Sequence, residues 1–253
     1  MAHLDPADRH WAAAWFTGRT VLVTGGTSGI GAGISRGFAE AGANVVCTGV
    51  TETEIEAARQ DPLLSAARLE RLDVRDRRAV ERLVSAIPEL DVVVNCAGVI
   101  RRGDELDPDV FADVVDINLT GSMRVCAAAR PKLAGRGGSI VNLASMLSFF
   151  GGGLVPGYAA SKGGIAQMTK SLAIAYAEDG IRVNAIAPGW IETPLTRQLQ
   201  QDEGRRTAII NRTPLRRWGR PEDLVGGVLF LCSPAAAFIT GTILPIDGGY
   251  LVS

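Results

Sequence analysis

The sequence predicts a doubly wound α/β fold, with about seven strands in a mostly parallel sheet and helices on both faces. Three observations carry this. Short β-branched runs alternate with helical stretches, the runs are nearly continuous apolar segments, and no linker or internal repeat interrupts the rhythm. Strands are expected at Thr20 to Thr24, Asn44 to Thr48, Arg68 to Leu72, Asp91 to Asn95, Ser139 to Ala144, Ile181 to Ala187 and Thr242 to Ile246. Val21-Leu22-Val23 and Val92-Val93-Val94 have no polar alternate, so both faces of these strands should be buried. The stretches between strands have helical period and repeat the βαβ unit, whose crossover makes the next strand parallel. Residues 1–17 read as a leader segment and residues 18–253 as a single domain. Residues 190–220, polar and arginine-rich from Glu192 to Arg220, break the rhythm before the last helix and strand. An insertion there should sit above the sheet as a small lid.

At 253 residues, 47% apolar and 21% charged, the chain can bury a large core. A net charge of -1 supplies neither the basic field that nucleic acid requires nor a polybasic patch for anionic lipid, so neither partner is expected. The apolar stretch from Trp11 to Phe16 is too short for a signal-peptide core or a membrane span, and a cytoplasmic protein is expected. Cys47, Cys96, Cys126 and Cys232 form no CxxC pair and read as reduced small hydrophobes. The only histidines, His3 and His10, fall in the expected leader, so the body has no histidine base and no His/Cys zinc site. No metal is expected, and any acid–base chemistry must use another group.

Two segments suggest where that chemistry lies. The first strand runs into Thr24-Gly25-Gly26-Thr27-Ser28-Gly29-Ile30-Gly31 and then a helical stretch. Glycines at 25, 29 and 31 permit a tight turn and close approach of a pyrophosphate to backbone N–H groups, although the same glycines suit a strand-to-helix turn with no ligand. Tyr158 and Lys162 stand four apart in a helical pattern, so their side chains share one face. The chain has only three lysines, Lys132, Lys162 and Lys170, which makes one at this spot less incidental. A neighbouring ammonium is expected to favour the tyrosine phenolate.

The order and spacing of these segments resemble the short-chain dehydrogenase/reductase family over essentially the whole chain. The resemblance rests on the TGxxxGxG loop, Asn95-Cys96-Ala97-Gly98, Asn118, Ser145, Tyr158-Ala159-Ala160-Ser161-Lys162, and Pro188-Gly189 with Thr193. Cys96 departs from the asparagine or alanine usual there and is conservative in size. The resemblance implies a Rossmann-type fold and metal-free hydride transfer between a nicotinamide and an alcohol or ketone. It also implies that Ser145 holds the substrate oxygen, Tyr158 passes the proton, Lys162 holds the nicotinamide ribose, and Asn118 keeps a proton-relaying water. Implied cofactor contacts are Gly25, Ser28, Gly29, Ile30, Gly31, Asp73, Val74, Asn95, Ala97, Gly98, Tyr158, Lys162, Pro188, Gly189, Ile191 and Thr193. A homotetramer is implied in the same way.

An acid ending the second strand would select NAD, and a cation there or in the glycine loop would select NADP. Gly49-Val50 and Ser28 give neither signal, and the lack of a nearby cation leans the expectation toward NAD over NADP. Val99 to Arg102, Ser145 to Phe149 and Asn211 to Gly219 resemble the branch that acts on gluconate-type sugar acids. A carboxylate substrate needs a guanidinium, for which Arg101, Arg102 and Arg217 are the candidates. A reductase of 3-oxoacyl thioesters or hydrophobic ketones, with Phe149, Phe150 and Trp190 lining an apolar pocket, stays open as an alternative. So does a non-catalytic dinucleotide-binding regulator, though such a protein should have lost part of the Ser-Tyr-Lys set.

Overall fold

The computed structural model describes residues 10–253. Its strands are β1 (Thr20–Thr24), β2 (Asn44–Gly49), β3 (Arg68–Arg71), β4 (Val92–Asn95), β5 (Ser139–Leu143), β6 (Arg182–Pro188) and β7 (Ile243–Ile246). Each expected strand is present, its ends moved by at most one residue. All pair in parallel, in the order β3-β2-β1-β4-β5-β6-β7. The chain leaves β1 toward one edge and returns to build β4 on its other side. This reversal opens a crevice at the carboxyl ends of β1 and β4, where ligands bind in doubly wound sheets.

The helices are α1 (His10–Phe16), α2 (Gly29–Glu40), α3 (Glu52–Arg59), α4 (Arg77–Ser85), α5 (Pro108–Val115), α6 (Gly121–Leu133), α7 (Pro156–Ala175), α8 (Arg197–Gln201), α9 (Glu203–Arg212) and α10 (Pro221–Cys232). Strand alternation sends Val21, Val23, Val92 and Val94 into a core with Phe38 of α2 and Leu224 and Val228 of α10. Leu22 and Val93 face the opposite way, into a core with Val125 of α6 and Leu172 of α7. Continuous valine runs thus serve two cores at once. Helices α2 and α10 approach so closely that a Cβ on Gly33 would lie 2.5 Å from Pro221.

From His10 onward, the stretch expected to be a leader belongs to the fold. Helix α1 buries Ala12 and Phe16, and the Phe16 ring meets Phe38 edge-on at 5.1 Å. Seven residues without charged caps gave little helical signal, and the burial of this one face holds them. Residues 1–9 lie outside the described residues. The 190–220 excursion carries α8 and α9 and is closed at its base by a parallel bridge between Ile191 and Gly219. Trp218, Leu199 and Ile209 form its own small core. Among the described residues, no helix is long and apolar enough to cross a membrane.

Candidate active site

The crevice is built from the loops that follow β1 and β4. Gly25 and Gly29 hold φ of 63° and 52°, in the left-handed region that only glycine enters at little cost. A Cβ on Gly25 would stand 2.8 Å from the Ala97 backbone, and one on Gly31 only 2.1 Å from the Gly25 carbonyl. The two loops therefore touch backbone to backbone, as a cradle that admits no side chain. Ser28 is the N-cap of α2, yet its hydroxyl makes no capping bond, which leaves the start of a twelve-residue helix open toward an anion.

A cavity of about 590 Å³ follows this cradle. Gly25, Ser28, Gly29, Ile30 and Gly31 line one part, Asp73 and Val74 another, and Ala97, Gly98 and Arg101 a third. Tyr158, Lys162 and Thr193 close its far end. Its volume, glycine floor and open helix start fit the pyrophosphate and adenosine of a dinucleotide. The Asp73 carboxylate is already held by Arg75, which forks onto it at 2.7 and 3.0 Å, so its pKa lies below the usual carboxylate range.

The remaining sequence-predicted residues stand behind this lining. Asn95 is buried, its Nδ2 donating to Asn142 Oδ1 at 2.9 Å, and Ile191 is a core residue on the bridge to Gly219. Pro188 ends β6, and Gly189 follows so tightly that a Cβ would meet the Asp247 backbone at 2.6 Å. Asn118 sits in a π-helical turn, Asp116–Thr120, an interruption of regular helix that often marks a functional residue. Its amide accepts from Val99 N at 2.8 Å and donates to Val99 O at 2.9 Å and to Ser161 Oγ at 3.1 Å. Asn118 thus pins the loop that carries Gly98.

Ser145 follows β5, and its Oγ accepts from Leu147 N at 3.2 Å and is hydrogen-bonded to the Tyr158 hydroxyl. One turn along α7 from Tyr158, Lys162 is 4% exposed and donates from Nζ to the Leu143 carbonyl at 2.6 Å. Burial pushes its pKa down to about 8. The sequence reading expected Lys162, together with an oxidised nicotinamide, to lower the Tyr158 pKa, and the protein's own groups shift it the other way. The ammonium lies over the ring, 5.4 Å from its centroid, and burial raises the phenol above its usual value. The Ser145 hydrogen bond opposes that rise and the nearby Glu105 charge adds to it.

Three residues with no individual sequence signal prove central to the site's geometry. Glu105 is buried and hydrogen-bonds the backbone of both Arg101 and Tyr158. Glu54 lines the cavity beside the end of β2 and accepts from Val50 N at 2.8 Å and Thr51 N at 3.1 Å. Arg71, one strand away, donates to Val50 O at 3.2 Å, so the expectation of no nearby cation fails. Pairing of β2 with β3 brings it there across twenty-one residues of sequence.

The substrate arginines divide. Arg101 lines the cavity and gives one nitrogen to Asp113 at 2.7 Å, while Arg102 is exposed. Arg217 forks onto Asp223 at 2.6 and 2.8 Å, and this pair ties the excursion to the start of α10. The aromatic wall of the hydrophobic-ketone alternative is largely packed on itself. Trp190 contacts Trp218 and Tyr250, Phe150 contacts Tyr250, and the Arg212 guanidinium lies 4.1 Å over the Tyr250 ring.

Comparison with known proteins agrees with this geometry. A family model described as enoyl-(acyl carrier protein) reductase matches residues 24–251. The chain is 40% identical to 2-dehydro-3-deoxy-D-gluconate 5-dehydrogenase of Escherichia coli K12, over 92% of this chain and 96% of that protein. It is 36% identical to a 3-oxoacyl-(acyl-carrier-protein) reductase of Thermotoga maritima, over 93% and 98%. Its fold overlays a crystal structure of gluconate 5-dehydrogenase from Burkholderia cenocepacia in complex with NADP and tartrate, with a TM-score of 0.87, 34% identity, and coverage of 98% and 100%. With the glycine cradle, the Ser145–Tyr158–Lys162 cluster and this near full-length identity, the chain belongs to the short-chain dehydrogenase/reductase family of NAD(P)-dependent oxidoreductases.

Proposed function

We propose that this protein interconverts a ketone and a secondary alcohol on a sugar acid. The observation that carries the reading is the Ser145–Tyr158–Lys162 cluster at the far end of a dinucleotide cradle, with Arg101 on the adjacent rim. The dinucleotide, when bound, supplies or accepts the hydride at its nicotinamide. In the reducing direction, Ser145 orients the carbonyl oxygen by a hydrogen bond, and Tyr158 gives that oxygen its proton as the carbonyl carbon gains hydride. A phenol whose pKa is raised holds this proton through the neutral range. Lys162 would hold the nicotinamide ribose when the dinucleotide is bound, and its ammonium is the source from which a proton would return to Tyr158.

The sugar-acid part rests on the guanidinium groups and on the activities that name the sugar-acid relatives. A carboxylate entering the cleft sheds water and needs a charged partner. Arg101 and Arg102 follow the Gly98 loop on the ligand side of the sheet, whereas Asp223 already fills the fork of Arg217. Arg101→Gln or Arg102→Gln should raise KM for an acidic sugar about tenfold, the worth of one charge-assisted hydrogen bond, and leave a neutral polyol nearly unaffected. Arg217→Gln should not discriminate between them. Equal losses on acidic and neutral substrates across all three variants would remove the carboxylate contact.

For the cofactor, we favour NAD. Gly49 ends β2 in a tight spot, where a Cβ would lie 2.6 Å from Thr27 Oγ1, so a strand-end acid there would have to displace Thr27. Glu54 brings a carboxylate to the same place from α3 and occupies the N–H groups that a 2′-phosphate would otherwise use. Arg71 pulls the other way, from a more exposed position. Glu54→Gln should improve NADPH affinity relative to NADH about tenfold and Arg71→Gln should worsen it, read by fluorescence titration of the free protein. An unchanged affinity ratio in both variants would sink this assignment. We also propose the homotetramer that the family resemblance implies, and the exposed apolar side chains of Phe238, Ile174 and Val252 are consistent with subunit contacts.

A further inference from the structure

Helix α7 begins without a cap of its own. Val155 occupies the N-cap position and has no side chain able to accept a hydrogen bond, and Pro156 follows as the first helical residue. The first-turn N–H of Tyr158 is nonetheless satisfied, by a side chain from a distant element. Glu105, in the 3-10 turn Asp104–Leu106, is 1% exposed. Its Oε2 accepts from Tyr158 N at 2.7 Å, and its Oε1 accepts from Arg101 N at 2.7 Å. Both bonds are short, as expected when an ionised acceptor meets backbone donors. A carboxylate at a helix start also meets the positive end of the helix dipole, which offsets part of the cost of burying it.

The fit around this carboxylate is close. A Cβ on Gly157 would lie 3.3 Å from Glu105 Oε2 and 3.2 Å from Phe111 Cα, so the residue before the tyrosine can seat only as a small one. Gly103 N donates to Leu154 O at 2.8 Å, a second tie between the same two segments. One end of the joined body carries Tyr158, and the other carries the loop from Gly98 to Arg101 that lines the cavity.

We propose that Glu105 is a positioning residue for the reaction, its buried carboxylate holding the backbone of Tyr158 and of Arg101 at one fixed spacing. The proton donor and the substrate-facing rim then move as one body. This inference rests on the reading of Tyr158 as the proton donor given above. It adds that the donor's geometry is set by a group that touches neither substrate nor dinucleotide. The charge also acts on the phenol. Tyr158 is faced by Ser145 after β5, by Lys162 on its own helix and by Glu105, while Cys96 and Arg101 of the loop after β4 line the same cavity and Arg101 is paired with Asp113 of α5. Glu105 supplies negative charge that raises the Tyr158 pKa, so its removal lets the phenol ionise more readily.

The test uses Glu105→Gln, which keeps the shape and removes the charge and one acceptor, with Glu105→Asp as a second variant that keeps the charge but falls short of spanning both donors. Hydrogen exchange of the whole protein should show the Tyr158 and Arg101 amides at least about tenfold less protected in both variants, with the middle of α7 unchanged. Turnover should fall about tenfold or more, since small displacements of a catalytic group are expensive, while NADH affinity stays within about twofold. In Glu105→Gln alone, the acid limb of the pH profile for alcohol oxidation should move to lower pH. Unchanged protection at Tyr158 would overturn the clamp. Loosened amides with unaltered turnover and pH profile would make Glu105 merely structural and overturn the positioning role. Full activity of Tyr158→Phe would instead remove the underlying reading, and the exchange result would not depend on it.

Discussion

Tyr158→Phe lowers turnover at least about a hundredfold, the lower end for loss of a general acid or base, and leaves dinucleotide affinity within about twofold. The substitution removes one oxygen. The ring still fills its place over the Lys162 ammonium, and the backbone bond to Glu105 is untouched. Ser145 loses its partner but keeps the bond from Leu147 N, so the loop after β5 should hold. The measurement is single-turnover reduction alongside a fluorescence titration with NADH. Near wild-type turnover in this variant would end the assignment of Tyr158 as proton donor.

Lys162→Ala has the broader effect, because one side chain is asked to do two things. Turnover should fall about a thousandfold, and dinucleotide affinity should weaken about tenfold as the ribose contact goes. Stability should drop as well, by about 1–3 kcal/mol, since the Leu143 carbonyl loses its buried donor. Lys162→Met fills the volume without restoring the donor, and so separates any loss of packing from the loss of the hydrogen bond and of the chemistry. The wild type offers an independent check in its pH dependence. With the ammonium pKa pushed down to about 8, ketone reduction should decline as pH rises through that value, because the neutral amine no longer supplies the proton that restores Tyr158. The decline should be absent from the residual activity of Lys162→Met. A turnover loss with unchanged dinucleotide affinity would refute the dual role.

The fold was legible because its signals are local and repeated. Most strands announced themselves as apolar β-branched runs, the edge strand β3 with Arg68, Glu70 and Arg71 excepted, and the continuous apolar runs of β1 and β4 implied burial on both faces, which the two cores on either side of the sheet require. Helix α1 escaped notice because seven residues carry no cap signal and are held by the burial of Ala12 and Phe16 against the body of the fold. In the site, i,i+4 spacing put Tyr158 and Lys162 on one helix face, but a role for the pair became readable only beside the other motifs of the family resemblance. Glu105 and Arg71 were not readable, since each acts on the backbone of a segment that only the tertiary fold brings near, and Glu54 was not, because its local bonds to Val50 and Thr51 read as plain capping. An acid in the first turn of a short helix looks like an ordinary capping residue, and Glu54 is one, with Thr51 as its partner. The direction of the Tyr158 shift was missed for a related reason. Sequence spacing gives proximity to an ammonium but not whether that charge meets the hydroxyl or the ring face, and burial decides the sign.

The central claim is hydride transfer to the ketone of a sugar acid through Tyr158. It is tested most directly by following absorbance at the nicotinamide band while the wild-type protein meets 5-ketogluconate, its neutral ketose counterpart, a hydrophobic ketone and a 3-oxoacyl thioester in turn, with Tyr158→Phe run beside it. The expected result is consumption of reduced dinucleotide with the keto acid, at a kcat/KM at least about tenfold above that for the neutral ketose, and its near abolition in Tyr158→Phe. Turnover of the thioester or hydrophobic ketone with none of the sugar acid, or full activity without the tyrosine hydroxyl, would contradict it.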